Sequence, residues 1–251
     1  MTLPDVGTIA FCAVAIALAG VVRGFSGFGF GLVAVPAFSF VLHPAAAIAL
    51  AMILQVFSGG IMLRDAWHHV DARLVTALSA GTILPLCLGF LVLETSSVDQ
   101  IRIYMALVML AVVVALSAGW RLKQPIGPRL SFATGAMCGL LNGTTGMGGP
   151  PAILVLLGSS MPSNAARANL AAYFTVLGIA TIIGVAWLGH VSEGILVLAV
   201  VELPALVLAT ILGGRLYALG GQEQYRKLAL AILAALGVVT ILRGLGAFPA
   251  T

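Results

Sequence analysis

Two glycine-rich strings, set in otherwise apolar sequence, hold the residues most able to do chemistry. The first reads Arg23-Gly24-Phe25-Ser26-Gly27-Phe28-Gly29-Phe30-Gly31 and the second Asn142-Gly143-Thr144-Thr145-Gly146-Met147-Gly148-Gly149-Pro150. Glycine lets a backbone adopt positive φ and approach a ligand closely. Successive N–H groups at such a turn form an anion-holding concavity, and a helix that follows adds the positive end of its dipole. Gly24, Gly27 and Gly29 of the first string and Gly143, Gly146 and Gly148 of the second are candidates for that backbone. With the hydroxyls of Ser26, Thr144 and Thr145, the Asn142 amide and the Arg23 guanidinium, they describe a pocket for a small oxyanion. Close packing of helices is the other use of such glycines, and Gly135, Gly139 and Gly143 have the spacing for it. The added hydroxyls and the Gly149-Pro150-Pro151 break exceed what packing requires.

Four other polar residues fall within or at the edge of apolar runs. Glu202, in Leu198-Ala199-Val200-Val201-Glu202-Leu203-Pro204, is the carboxylate deepest in an apolar segment. An ionisable group at such depth is a functional candidate by default, here a proton carrier; a structural partner to Arg215 or Arg167 is the alternative. Arg167 lines a cytoplasmic vestibule that attracts anions or anchors its helix at the interface. Gln55 and Tyr173 occupy near-equivalent places in the two halves and either hydrogen-bond a substrate or join helices. His68-His69 beside Trp67 has neither an i, i+4 partner nor a cysteine, so it reads as an interfacial turn rather than a metal site. Cys12, Cys87 and Cys138 are isolated, without paired spacing, and read as small core residues. No nucleophile elbow, zinc-binding helix or phosphate-loop lysine occurs, so the chain is expected to be no enzyme and to need no cofactor.

The elements that must position these residues are membrane helices. Of 251 residues 61% are hydrophobic and 8% charged, against about 25% charged in soluble domains. The net charge of +4 is scattered singly over loops, which does not suit nucleic acid. The opening Met1-Thr2-Leu3-Pro4-Asp5 lacks the basic start of a secretory signal, so the first apolar stretch is expected to be retained. Hydropathy with Gly, Pro and charge punctuation predicts ten apolar segments, at 5–23, 28–42, 44–63, 72–93, 101–120, 130–145, 148–160, 165–188, 194–217 and 226–243. The second and seventh fall short of the roughly 20 residues of a full crossing and read as half-helices or re-entrant arms, each one change of direction.

Gly24, Gly27 and Gly29 recur 119 residues later, as does Leu84-Pro85 in Leu203-Pro204, so the chain reads as a duplication: repeat one over 5–120 and repeat two over 130–243 within a single domain, 1–251. Loops after odd-numbered segments carry ten Lys or Arg and the other side two, Arg102 and Arg243. The positive-inside rule then places both termini outside. Five segments per repeat is an odd number, so the second repeat enters the membrane inverted. The two glycine turns would approach the midplane from opposite faces, an arrangement that points to a substrate site between the repeats.

The pattern from Gly20 to Gly31, repeated from Gly139 through Gly149-Pro150-Pro151, resembles the TauE/SafE family of sulfite exporter-like membrane proteins over essentially the whole chain. The resemblance implies movement of a sulfur-containing anion: sulfite, a sulfonate such as sulfoacetate, or thiosulfate. The combined expectation is an all-α integral membrane protein in a bacterial inner membrane, working as a secondary transporter by alternating access with protons as the coupling ion. An uncoupled anion facilitator and a non-transporting scaffold subunit are the rival classes.

Overall fold

A computed structural model describes residues 5–117 and 126–219. Among them the chain forms helices α1 (Val6–Ser26), α2 (Phe30–Phe38), α3 (Pro44–Ala66), α4 (Ala72–Thr95), α5 (Val98–Ser117), α6 (Pro128–Thr145), α7 (Gly149–Gly158), α8 (Ser163–Trp187) and α9 (Glu193–Leu219), with a 3-10 turn at Trp67–His69. Five of these, α1, α3, α4, α8 and α9, are long and apolar enough to cross a membrane. The end of the predicted fifth segment and all of the tenth, with Arg121, Lys123, Arg226, Lys227 and Arg243, lie outside the described residues.

Local chemistry starts and stops the helices. Asp5 accepts the N–H groups of Gly7 and Thr8 at the head of α1, and Asp71 those of Arg73 and Leu74 at the head of α4. Each supplies an acceptor to donors that have no partner inside the helix. Ser97 and Gln100 cap α5 reciprocally, the Ser97 N–H reaching Gln100 Oε1 at 2.8 Å and the Gln100 N–H reaching Ser97 Oγ at 3.3 Å. Pro44 and Pro128 occupy first helical positions, where a missing N–H costs nothing. At the other end, Gly27 (φ +82°) and Gly146 (φ +70°) stop α1 and α6 in the left-handed region, donating to the carbonyls of Arg23 and Asn142.

Glycine ridges bring the long helices together. A Cβ on Gly135, Gly139 or Gly143 of α6 would overlap the carbonyls of Leu78, Thr82 and Leu86 in turn, so α6 lies along α4 and runs parallel to it. On the other side of the molecule a Cβ on Gly24 of α1 would overlap the Thr210 carbonyl, while Gly20 faces Leu206 and Ala209; α1 and α9 are therefore also parallel. Tyr173 meets Thr82 and Gly184 meets Phe90, so α8 runs with α4. Since α6 and α8 share a direction, the short α7 between them makes the return.

All nine residues of α2 are buried. A half-length helix inside an apolar layer is tolerable because protein, not lipid, surrounds its ends. Residues 47–52 of α3 form the centre of the core, where every side chain is fully buried. The outer faces present Leu84, Leu88, Val200, Val201 and Leu208, a lipid-facing surface for a chain of this composition.

Candidate functional site

The two glycine turns, far apart in sequence, touch. A Cβ on Gly31 would stand 3.1 Å from the carbonyl oxygen of Gly146. Between them opens a small cavity, with room in this conformation for about one water molecule. Its rim is Gly29 and Gly31 from the first turn and Gly146, Met147, Gly148 and Gly149 from the second. Its walls are Leu32 of α2, Gln55 of α3, Asn142 of α6, and Phe174 and Leu177 of α8. None of these lining residues carries a charge.

Both short helices present their N-termini here. Gly29 precedes α2 and Gly148 precedes α7, and neither helix start has a side-chain cap. At α2 the N–H groups of Phe30, Gly31 and Leu32 precede the first intrahelical bond and, with the positive end of the dipole, are suited to an anion. At α7 Pro150 and Pro151 carry no N–H and that of Gly148 goes to Asn142, so Gly149 supplies the free donor. The two turns are not identical. Gly29 has φ +89°, whereas Gly148 has φ −72° and needs glycine for a different reason: a Cβ there would overlap the Cys138 carbonyl.

The polar side chains mostly hold the turns in shape. Asn142 Oδ1 accepts the Gly148 N–H at 3.0 Å, and its Nδ2 donates to Thr181 Oγ1 at 2.7 Å, tying α6, the turn and α8 together. Ser26 Oγ accepts the Phe28 N–H at 3.2 Å and lies 2.7 Å from the carbonyls of Val22 and Phe28. Thr145, 119 residues later, does the same work: its Oγ1 donates to Leu141 at 2.7 Å and accepts the Met147 N–H at 3.3 Å. Thr144 Oγ1 donates to Leu140 at 2.9 Å. The hydroxyl protons are thus committed to backbone carbonyls in this conformation, and the groups that face the cavity are backbone and amide.

Several sequence candidates sit elsewhere. Gly24 and Gly143 face the contacts of α1 with α9 and of α6 with α4, and Gly27 packs against Arg167. Arg167 is half-buried and donates to the Gly24 carbonyl at 3.3 Å, so it crowns the C-terminal end of α1. Tyr173 is fully buried with its hydroxyl 2.8 Å from Thr82 Oγ1, joining α8 to α4. Arg23 is fully buried and outside the cavity; its Nη2 lies 3.4 Å from the Gln55 carbonyl. Glu202 is 2% exposed on α9, with Cys12 of α1 within its field, and its Oε1 has no hydrogen-bond partner among the described residues. Gln55 does reach the cavity, its Nε2 donating to the Phe174 carbonyl at 3.2 Å. Phe174 and Leu177 escaped the sequence reading, although Phe174 stands 119 residues beyond Gln55 and the repeat offset would have found it.

One cluster lies away from the cavity, at the helix ends. His190 Nε2 is 2.6 Å from Glu94 Oε1, and the His43 ring stacks on His190 at 6.4 Å with an interplanar angle of 18°. Burial, and then the neighbouring His190, hold His43 below the usual histidine range.

Comparison with known proteins agrees with this architecture. A Cupriavidus necator protein described as a "Probable sulfite/organosulfonate exporter TauE" is 29% identical over 230 residues, covering 89% of this chain and 90% of its own length. No solved structure matches the chain. The family model described as "Sulfite exporter TauE/SafE" matches residues 12–240, which include both glycine turns and every wall of the cavity. Apolar helices, paired glycine turns and a full-length match to a family of membrane exporters, not enzymes, lead to one conclusion: this multi-pass membrane protein belongs to the TauE/SafE sulfite exporter family.

Proposed function

We propose that the protein is a secondary transporter that moves a small sulfur-containing anion, such as sulfite, a short sulfonate or thiosulfate, across the cytoplasmic membrane of a bacterium. The observation that carries this reading is the cavity where both glycine turns and the uncapped starts of α2 and α7 converge. The anion rests against the N–H groups that open α2 and α7, those of Gly31 and Gly149 among them, and the Gln55 amide, with Gly29, Gly146 and Gly148 shaping the rim. Asn142, Ser26, Thr144 and Thr145 set the shape of the turns, with Gly24, Gly27 and Gly143 allowing the helices to close around them. The C. necator relative's name supports the sulfur-oxyanion class.

Transport proceeds by alternating access between two inverted five-segment repeats, with both termini periplasmic. Reciprocal contacts support the inversion. Gly59 lies against Thr175 and Gly178 against Val56; moving each residue of the first pair to its place in the other repeat, 119 positions away, yields the second pair. Gln55 and Phe174, themselves such a pair, bond to each other where α3 crosses α8. Glu202, buried and with no hydrogen-bond partner for Oε1 among the described residues, is the group that carries the coupling proton.

The test is uptake of labelled sulfite and of sulfoacetate into proteoliposomes, with and without an imposed pH gradient. Saturable uptake enhanced by the gradient is expected. Absence of uptake of either, with folded protein confirmed, overturns the substrate class; uptake indifferent to the gradient and far above carrier turnover replaces the carrier with a facilitator.

A further inference from the structure

The cavity in this conformation belongs mainly to one half of the chain. Two pairs of equivalent residues contribute both members, Gly29 with Gly148 and Gln55 with Phe174. The seven other lining residues do not bring their partners, and five of them, Asn142 and Leu177 included, belong to the second repeat against two, Gly31 and Leu32, from the first. Asn142 and Leu177 line the cavity, while the residues 119 positions earlier, Arg23 and Ser58, lie outside it with no exposed surface. The void is therefore displaced from the crossing of α3 and α8 toward the second glycine turn, and the corresponding space beside the first turn is closed.

Arg23 is the residue that the closure leaves in an unfavourable place. Among the described residues its one hydrogen bond is the long one from Nη2 to the Gln55 carbonyl, and Nε and Nη1 have no partner there. A guanidinium has five N–H donors and is strongly penalised when buried without an anion. Glu202, the buried carboxylate of α9, does not serve it. Arg23 adjoins Gly24, which packs on Thr210, so the carboxylate stands about eight residues, or ~12 Å, away along α9. The side chain points instead toward α3 beside Gly59, where a Cβ would lie 3.2 Å from Nη2.

We infer that the protein has a second oxyanion site, closed in this conformation and opened when the two repeats exchange their conformations, in which Arg23 and Ser58 take the places that Asn142 and Leu177 occupy here. This rests on the transport reading and deepens it. The carrier holds its anion by backbone and amide groups when open on one side of the membrane, and by a fixed cation when open on the other. The two sites share the Gln55–Phe174 pair at the crossing, so only one is open at a time. Pairing of the anion with Arg23 also stabilises the conformation that this structure does not show.

Single cysteines in a background lacking Cys12, Cys87 and Cys138 test this without reference to any substrate. Leu177→Cys, Ser58→Cys and Arg23→Cys are labelled in oriented membrane vesicles with an impermeant maleimide applied to either face. Leu177→Cys should react from one face, and Ser58→Cys and Arg23→Cys from the other. Reaction of all three from the same face, or no reaction of the last two from either, overturns the second site. Sulfite should then slow labelling of Ser58→Cys at least tenfold. Adding Arg23→Gln should abolish that protection while leaving protection at Leu177→Cys, and Arg23→Lys should restore part of it. Unchanged protection in Arg23→Gln overturns the role of Arg23. Two-sided labelling that neither sulfite nor sulfoacetate slows leaves the second site standing and removes the sulfur-anion reading.

Discussion

Asn142→Ala isolates the contact that shapes the second glycine turn. Asn142 is 2% exposed and bridges the Gly148 N–H at 3.0 Å and Thr181 Oγ1 at 2.7 Å. Alanine removes both bonds, each worth about 1 kcal/mol net, and leaves the buried Gly148 N–H without its acceptor, which costs about 1–3 kcal/mol more. Thr181 is spared that second penalty, because its hydroxyl keeps its 2.7 Å bond to the Leu177 carbonyl. The sum is roughly 3–5 kcal/mol, a large fraction of the ~5–15 kcal/mol that separates folded from unfolded states. Thr181→Val removes the acceptor of Nδ2, leaving that buried donor unpaired, together with the hydroxyl's bond to the Leu177 carbonyl, and should cost about 2–4 kcal/mol while sparing the Gly148 contact. Reversible unfolding in mixed detergent micelles, followed by helical circular dichroism, gives both values, and the double variant gives their coupling. Because Gly148 rims the cavity, Asn142→Ala should also weaken anion affinity, whereas Thr181→Val should change it little. An Asn142→Ala variant within about 0.5 kcal/mol of wild type, or one whose anion affinity equals that of Thr181→Val, would falsify the argument that this amide holds the turn.

Gly146→Ala should destabilise by about 2–4 kcal/mol and depress transport, since a left-handed φ of +70° costs an L-residue about 1–2 kcal/mol and the new Cβ would meet Ile48 Cγ1 at 2.8 Å. Gly60→Ala is its control: nothing lies within 4 Å of a Cβ there, so unfolding should shift by no more than about 1 kcal/mol, toward greater stability. Glu202→Gln should keep the protein folded while removing the enhancement of uptake by a pH gradient; gradient-driven uptake at the wild-type rate shows that the proton travels elsewhere. His43, held below the usual histidine range by burial and by His190, favours its neutral form in the folded state. Its contribution is therefore complete above about pH 6.5 and declines as the pH falls through its lower folded value. Glu94 opposes this shift and Arg102 adds to it. Melting curves between pH 7.5 and 5 should show the decline, and His43→Phe, which keeps a ring against His190, should flatten it; equal slopes in the two proteins remove His43 as the cause.

Much of the architecture was legible because it is written in short-range pattern. Apolar runs broken by Gly, Pro and charge placed all nine described helices to within about three residues at most ends, and the shortness of the second and seventh segments matches α2 and α7. The glycine turns were readable for the same reason, since a stop at Gly27 or Gly146 depends on φ at one residue. The fourth segment of each repeat was not. Leu84-Pro85 and Leu203-Pro204 share the 119-residue offset, yet in packing Gly89 meets Leu140 and Gly143 as Gly213 meets Val21 and Gly24, and Gly89 and Gly213 are 124 residues apart. The register is set by glycine ridges sinking into a neighbouring backbone. By that register Glu202 corresponds to Leu78, not to Ile83, its match at the simple offset.

What the sequence by itself determined was the set of elements and the two places where backbone breaks within apolar layers, because helix limits and turn conformations depend on residues a few positions apart. Which side chains face the cavity was decided only by tertiary structure. Arg23 and Asn142 occupy equivalent positions at the ends of α1 and α6, but Asn142 meets the void and Arg23 lies outside it, fully buried. Ser26, Thr144 and Thr145 have hydroxyls suited to a ligand, yet their protons go to carbonyls of their own helices. Phe174 and Leu177, apolar and unmarked in the sequence, become walls. The physical reason is rotation: a helix turns about 100° per residue, so the contact that seats it selects which of its neighbouring residues meets the substrate, and that contact is made by another helix far along the chain.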